Sequence, residues 1–167
     1  IFIPSMEICS RAGHIIGLGL NEPVRKEMGA LETMDVIRGQ GAVCVAVHPF
    51  DVQNWGIRKF MDKADAVEVF NSLAIDRIGN MAAERRARKK GKVMVAGSDA
   101  HALSMIGTAC NVIDACSVDE VIFALRHGKV SFEKNYMKLS TLVEWVRERL
   151  VKSYPQVMAY INSNYHG

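Results

Sequence analysis

The chain has 167 residues, 49% hydrophobic and 23% charged, which is enough for one ordinary globular domain. A net charge of +3 is too small to argue for nucleic acid or an anionic membrane as a partner. No apolar run approaches the ~20 residues of a membrane span, and no signal peptide is visible. The four cysteines, Cys9, Cys44, Cys110 and Cys116, have no paired framework. Reduced thiols in a cytoplasmic protein are therefore expected, and Cys44, inside an apolar run, reads as a small buried hydrophobe.

In chain order, Phe2 to Ile8 is a mostly apolar segment with Glu7 close to its end. Gly13-His14 opens a second apolar run, Ile15-Ile16-Gly17-Leu18-Gly19-Leu20. Ala30 to Arg38 places Leu31, Met34 and Ile37 at helical spacing before Gly39 and Gly41. Ala42 to Val47 is a strand-like run ending in His48, which Pro49 follows. A looser stretch from Phe50 leads to a short helix around Ile57 to Met61. Ala66 to Phe70 is the next strand. Ile75 to Lys90 is a helix rich in Ala, Arg, Glu and Lys, ended by Gly91. Val93 to Ala96 is a strand that turns at Gly97, and Ala109 to Ile113 is a short strand. Ser117 caps a helix from Val118 to Arg126, with Glu120 completing a capping box. Leu139 to Leu150 is an amphipathic helix with Leu142, Val143, Val146 and Leu150 on one face, expected to pack on the domain; a second helix follows Pro155. This β-α-β-α rhythm predicts a parallel sheet with right-handed crossovers.

The segment Ser98-Asp99-Ala100-His101-Ala102 follows the run Val93-Met94-Val95-Ala96 and Gly97. In α/β architectures the C-terminal end of such a strand is where chemistry sits. Asp99 and His101, two residues apart in extended chain, point the same way, and a carboxylate with an imidazole is a metal-ligand pair. An isolated Asp-x-His reads equally as a strand-end cap beside a solvated histidine. Here Glu7, His14, His48, Asp99 and His101 all lie at the edges of strand-like runs. His127, before Gly128 at a helix end, and His166, in the terminal tail, read as structural.

Taken together, Met6-Glu7 with Gly13-His14-Ile15-Ile16-Gly17, Ala46-Val47-His48-Pro49, Val67-Glu68-Val69-Phe70-Asn71-Ser72 and Gly97-Ser98-Asp99-Ala100-His101 with Ile106-Gly107 resemble the polymerase-and-histidinol-phosphatase (PHP) metal-dependent phosphoesterases, over about residues 3 to 130. The resemblance implies a distorted (β/α)7 TIM-like barrel. It implies metal ligands at Glu7, His14, His48, Asp99 and His101. The glutamate would bridge two metals that the histidines of Gly-His and His-Pro help to bind, Asp99 would join the other site, and His101 would serve a third. The family's opening His-x-His strand has no counterpart before Glu7. The expectation is a C-terminal portion of a longer protein, a barrel incomplete at its N-terminus, with residues 1–135 forming the domain and 136–167 a helical extension packed on it.

The reading is a hydrolase acting on a small phosphomonoester with two or three divalent ions (Mn, Zn or Fe), inactive as this portion alone. Asp99 and His101 would act in catalysis through bound metal. Arg58 and Lys59 would hold a substrate phosphate, because Arg forks onto phosphate oxygens. Asn71 would line the pocket and Glu68 would orient a ligand. Cys9, two residues from Glu7, either approaches the metals or simply packs. The run Arg85-Arg86-Ala87-Arg88-Lys89-Lys90 reads as a solvated face at a helix end. The open barrel edge would be covered by the missing upstream segment or another copy of the chain. The alternatives are a PHP-type nuclease, which the modest charge disfavours, and a non-catalytic metal-binding or scaffold domain of the same fold.

Overall fold

The computed structural model describes residues 1–51, 56–74 and 77–165. The expected helix start at Ile75, and His166, lie outside the described residues. Strands β1 (Ser5–Ser10) and β2 (Gly13–Leu18) form an antiparallel hairpin, with Glu7 opposite Ile16 and Cys9 opposite His14. Gly13, at φ 134°, makes the turn, and the Ser10 hydroxyl donates to Gly13 O at 2.6 Å. β2 pairs antiparallel with β3 (Val43–Ala46), which pairs parallel with β4 (Ala66–Asn71); β4 pairs parallel with β5 (Val93–Gly97).

The result is a mixed five-stranded sheet in the order β1-β2-β3-β4-β5, not the all-parallel sheet that the alternation of elements predicts. The reason is local at β1–β2, since a turn of two residues can join only antiparallel strands. Helix α1 (Ala30–Gly39) then carries the chain from β2 to β3 without making the pair parallel, because a helix between two strands does not by itself fix their direction. A 3₁₀ turn (Arg58–Lys63) links β3 to β4, and α2 (Arg77–Lys89) links β4 to β5.

β6 (Ala109–Val112), α3 (Val118–Arg126) and β7 (Ser131–Lys134) follow, with β6 and β7 antiparallel in a second sheet. β7 is not apparent from the sequence because Ser-Phe-Glu-Lys carries one apolar residue, too few to show alternation. The Ser117 cap forms as expected, its hydroxyl accepting from Glu120 N at 3.2 Å. α4 (Leu139–Tyr165) runs through Pro155 as one helix rather than two. The missing N–H removes one backbone bond while the turns on either side persist. Its expected packing face is largely uncovered, with Val143, Val146 and Leu150 exposed.

The sheet carries apolar residues on both faces. One core gathers Ile8, Ile15, Met34, Ile37, Met61, Val67 and Val69; the other gathers Val43, Val45, Val47, Ala66, Val95, Ile122 and Leu125. β3 and β4 are buried along their whole length, which is why β3 reads as a continuous apolar run and β4 as one interrupted by Glu68. The two sheet edges differ. At β5 the Asn111 side chain accepts from Ala96 N at 2.9 Å and donates to Ala96 O at 2.8 Å, sealing that edge. At the other end lies β1, preceded by the exposed Ile1 and Phe2. Within the basic run at the end of α2, Arg86 forks onto Asp62 at 2.8 and 2.7 Å and Arg88 pairs Glu84 at 2.7 Å, while Arg85 and Lys89 are exposed. No described helix is long and apolar enough to cross a membrane, and all four cysteines are free.

Asp65, at the start of β4, ties three elements together. Its carboxylate accepts from Cys44 N at 2.9 Å, Cys44 Sγ at 3.0 Å and Arg38 Nε at 2.9 Å. Burial pushes the Cys44 thiol up to about 12, and Asp65 adds to the effect. Burial also acts to raise the Asp65 carboxyl, but the bonds from Cys44 and Arg38 outweigh it and hold Asp65 below its ordinary range. A carboxyl depressed in the folded state stabilises the fold above its unfolded pKa, and that contribution disappears as pH falls through the folded value. Asp65→Asn should therefore cost about 1–3 kcal/mol at neutral pH. In urea denaturation at stepped pH, the gap between wild type and variant should close as pH falls below about 4. A gap that stays constant into acid would show that the charge on Asp65 contributes nothing.

Candidate metal centre

Glu7 on β1, His14 on β2 and His48 just past β3 each bring one ligand atom within 4.8 Å of the others. The hairpin register explains the first two. Glu7 and Cys9 are two apart on β1 and share a face, and His14 lies directly opposite Cys9, so it joins them. Cys9 itself is not one of the converging three. His14 Nδ1 lies 3.0 Å and His48 Nε2 3.6 Å from Glu7 Oε1. The two imidazoles cross nearly edge to face, centroids 5.4 Å apart at 78°. The Nδ1 atoms of both histidines are buried without a hydrogen-bond partner. His14 presents its partnerless Nδ1 to Glu7, while His48 meets Glu7 through its other ring nitrogen, Nε2, and two imidazoles around a carboxylate are a donor set suited to a cation.

The site's charges bear on one another. His48 holds the Glu7 carboxyl below its ordinary range against the opposing effect of burial, with His14 and His101 adding to the pull. Burial draws His48 down, but Glu7, Glu68 and Asp99 together leave it above the usual imidazole value.

Glu68 supports the centre from β4. It is 7% exposed, and its Oε2 accepts from His48 N at 2.7 Å. That bond holds His48 at φ 28°, a left-handed conformation that a non-glycine residue adopts at a cost of about 1 kcal/mol or more. Glu68 thus orients a ligand through its backbone. Burial pushes the Glu68 carboxyl up to about 7.

Asp99 and His101 sit beyond the C-terminal end of β5, a parallel strand, as expected. They are not part of the converging three, yet His101 acts on Glu7, and Asp99 on His48 and Glu68, through their charges. Asp99 is left-handed, at φ 51°, and His101 Nδ1 lies 2.8 Å from Asp99 O. The His101 ring, about half exposed, lies 5.6 Å from the Trp145 ring of α4. Asn71 lies at the end of β4. It is 2% exposed, and its Nδ2 donates to Asp99 Oδ2 at 3.1 Å. Arg58 is exposed beside the His-Pro segment, its backbone N–H bonded to Pro49 O at 2.9 Å. Lys59 lies over the Phe60 ring. The sequence reading passed over Asn80. It lies on the buried stripe of α2 with Ala83 and Ala87, and a polar residue on an apolar stripe was the available signal.

Gly97 is where Glu68 finds its room. A Cβ on Gly97 would stand 2.0 Å from Glu68 Oε1. Gly97→Ala should push the carboxylate off His48 N and destabilise the fold by about 2 kcal/mol or more. Thermal melts test this: a variant melting with wild type would show that Glu68 has other room.

Residues 77–130 match the family described as PHP-associated. The uncharacterised protein MJ0417 of Methanocaldococcus jannaschii is 34% identical over 116 residues, 64% of this chain and 49% of that protein. MJ1587 of the same organism is 38% identical over 86 residues, 50% of each. The chain thus spans about half the length of these relatives. Among solved structures, PsfC from Pseudomonas syringae PB-5123 superposes with a TM-score of 0.65 at 16% identity, over 88% of this chain and 66% of PsfC. A two-domain protein from Bacteroides vulgatus, containing a predicted PHP-like metal-dependent phosphoesterase, superposes with a TM-score of 0.63 at 16% identity, over 80% of this chain and 44% of that one. At such identity the two structures speak for the fold. Residues 77–130 thus carry a match to a PHP-associated family, and the chain shares its fold with both structures.

Proposed function

We propose that the chain is part of a metal-dependent phosphoesterase that hydrolyses a phosphomonoester. The observation that carries the reading is the convergence of Glu7, His14 and His48 with two buried imidazole nitrogens lacking partners. One carboxylate with two imidazoles suits Mn²⁺, Zn²⁺ or Fe²⁺ better than a thiolate-seeking ion. A bound ion of this kind acidifies a water and offsets charge on phosphate oxygens. Glu7, His14 and His48 would hold one ion, while Asp99 and His101 would contribute to a second or third. In this reading Arg58, exposed beside the His-Pro segment, would meet the substrate phosphate. Four free thiols fit a reducing, cytoplasmic setting.

The five strands would be one arc of a distorted (β/α)7 barrel. Residues 1–135 would form the catalytic domain and 136–167 its helical extension. A cavity of about 460 Å³ on one face of the sheet, lined by Ile16, Leu18, Val45, Val47, Val95 and Leu125 among others, would be the barrel interior. That cavity and the open β1 edge would be covered by a further segment of a longer protein or a second copy. The length of MJ0417, about twice the 116 matched residues, supports the former. The pairing of Arg86 and Arg88 with acidic partners removes much of a basic groove and disfavours a nuclease.

The test uses the intact protein with Mn²⁺. It should hydrolyse p-nitrophenyl phosphate, lose turnover on chelation and regain it with Mn²⁺. Glu7→Gln should lower the rate about 100-fold or more while the melting curve is little changed. Cleavage of oligonucleotides with no monoesterase activity would transfer the assignment to a nuclease. Mn²⁺ binding without either activity would leave a metal-binding scaffold.

A further inference from the structure

We propose that Asn71, clamped by Asn80, is a positioning residue that fixes the Asp99 carboxylate for metal binding. The inference rests on the reading of Asp99 as a ligand in the preceding subsection. Asn71 ends β4, and its backbone is held from both sides by one helix side chain. Asn71 N donates to Asn80 Oδ1 at 3.0 Å, and Asn80 Nδ2 donates to Asn71 O at 2.9 Å. The Asn80 amide nitrogen also lies 3.4 Å from the Tyr136 hydroxyl, and the Tyr136 ring rests on Phe70 with centroids 4.7 Å apart. Asn80 is itself buried, so the clamp is shielded from competing water.

The orientation of the Asn71 amide follows from its contacts. Oδ1 accepts from Leu73 N at 2.9 Å and Ala74 N at 3.1 Å, so the oxygen is committed to the turn after β4. The NH₂ group must then face the acids. One hydrogen goes to Asp99 Oδ2 at 3.1 Å, and the amide also acts to lower the Glu68 carboxyl that burial raises. A neutral donor thus stands beside two carboxyls whose charges oppose each other. It occupies one oxygen of Asp99 and leaves Oδ1, 3.8 Å from His101 Nδ1, facing the histidine side. The same contact anchors a residue held at φ 51°, a backbone state that an unsupported aspartate would leave.

A break in the strand makes this possible. Residues 68 and 71 are three apart and would face opposite ways in a regular strand. Between Glu68 and Phe70 the β4–β5 register shifts by one, with Glu68 opposite Val95 and Phe70 opposite Ala96. The bulge turns Asn71 onto the side where Glu68 and Asp99 lie.

The experiment is a double-mutant cycle on the intact protein, read by Mn²⁺ titration, with melts recorded for every variant. Asn71→Ser keeps an oxygen for the Leu73 and Ala74 N–H groups but is too short to reach Asp99. It should weaken Mn²⁺ binding about tenfold with a melting point close to wild type. Asp99→Asn should weaken binding at least as much, and adding Asn71→Ser to it should cost less than about threefold more. If Asn71→Ser does not fold, the same cycle with Asn80→Ala decides. Unchanged Mn²⁺ affinity in Asn71→Ser, or a full tenfold loss persisting in the Asp99→Asn background, overturns the relay alone. Unchanged affinity in Asp99→Asn, with Glu7→Gln impaired, overturns the reading of Asp99 as a ligand and the relay with it.

Discussion

Glu68 is a carboxylate in the middle of a sheet, almost out of reach of water, and much of the site's geometry is arranged around it. Burying such a group is costly unless its oxygens find donors. Three features meet that need. The His48 backbone N–H comes to 2.7 Å, the Asn71 amide nearby offsets part of the effect of burial, and Gly97 withholds the Cβ that would stand 2.0 Å from Oε1. Each compensating group belongs to, or adjoins, a piece of the candidate centre. The backbone of His48 is set by Glu68. Asn71 goes on to hold Asp99, and Gly97 is the last residue of the strand that presents Asp99. The carboxylate is therefore less a burden on the fold than the point from which two separate strand ends are aligned.

This arrangement divides the work between strands. The converging ligands come from β1, β2 and the end of β3, and Asp99 with His101 from beyond β5. β4, central to the parallel part, contributes none of these; it contributes Asp65 at one end and Glu68 and Asn71 toward the other. Of the four described non-glycine residues at positive φ, two, His48 and Asp99, lie just past the ends of the strands flanking β4. Strain of about 1–3 kcal/mol per residue persists only where neighbours over-determine it. Here the neighbours are side chains of the strand between.

The elements were legible in the sequence where burial is two-sided. β3 and β4 read as strands because every residue is buried, and the ends of α1 and α3 were marked by glycines and by Ser117. The three residues that converge, Glu7, His14 and His48, were legible as well, since a polar residue closing an apolar run has few reasons to be there. Strand direction at β1–β2 was not read, although the two-residue turn at Arg11-Ala12 contains it. The helix break at Pro155 was over-read, and β7 was too short and polar to register.

The roles of Asn71 and Asn80 were beyond pattern reading for a sharper reason. Alternation assigns residues 68 and 71 to opposite faces, and only the bulge at β4 reverses that assignment. A bulge is a relation between two strands, and neither strand's sequence records it. Asn80 likewise looks like an interruption in the Ala83–Ala87 stripe until its partner is known to be a strand-end backbone that has run out of ladder bonds. What the linear sequence displays is the set of groups that can bind a metal. What it withholds is the set of neutral groups that fix their angles, because those are chosen by contacts between elements and not by position within one.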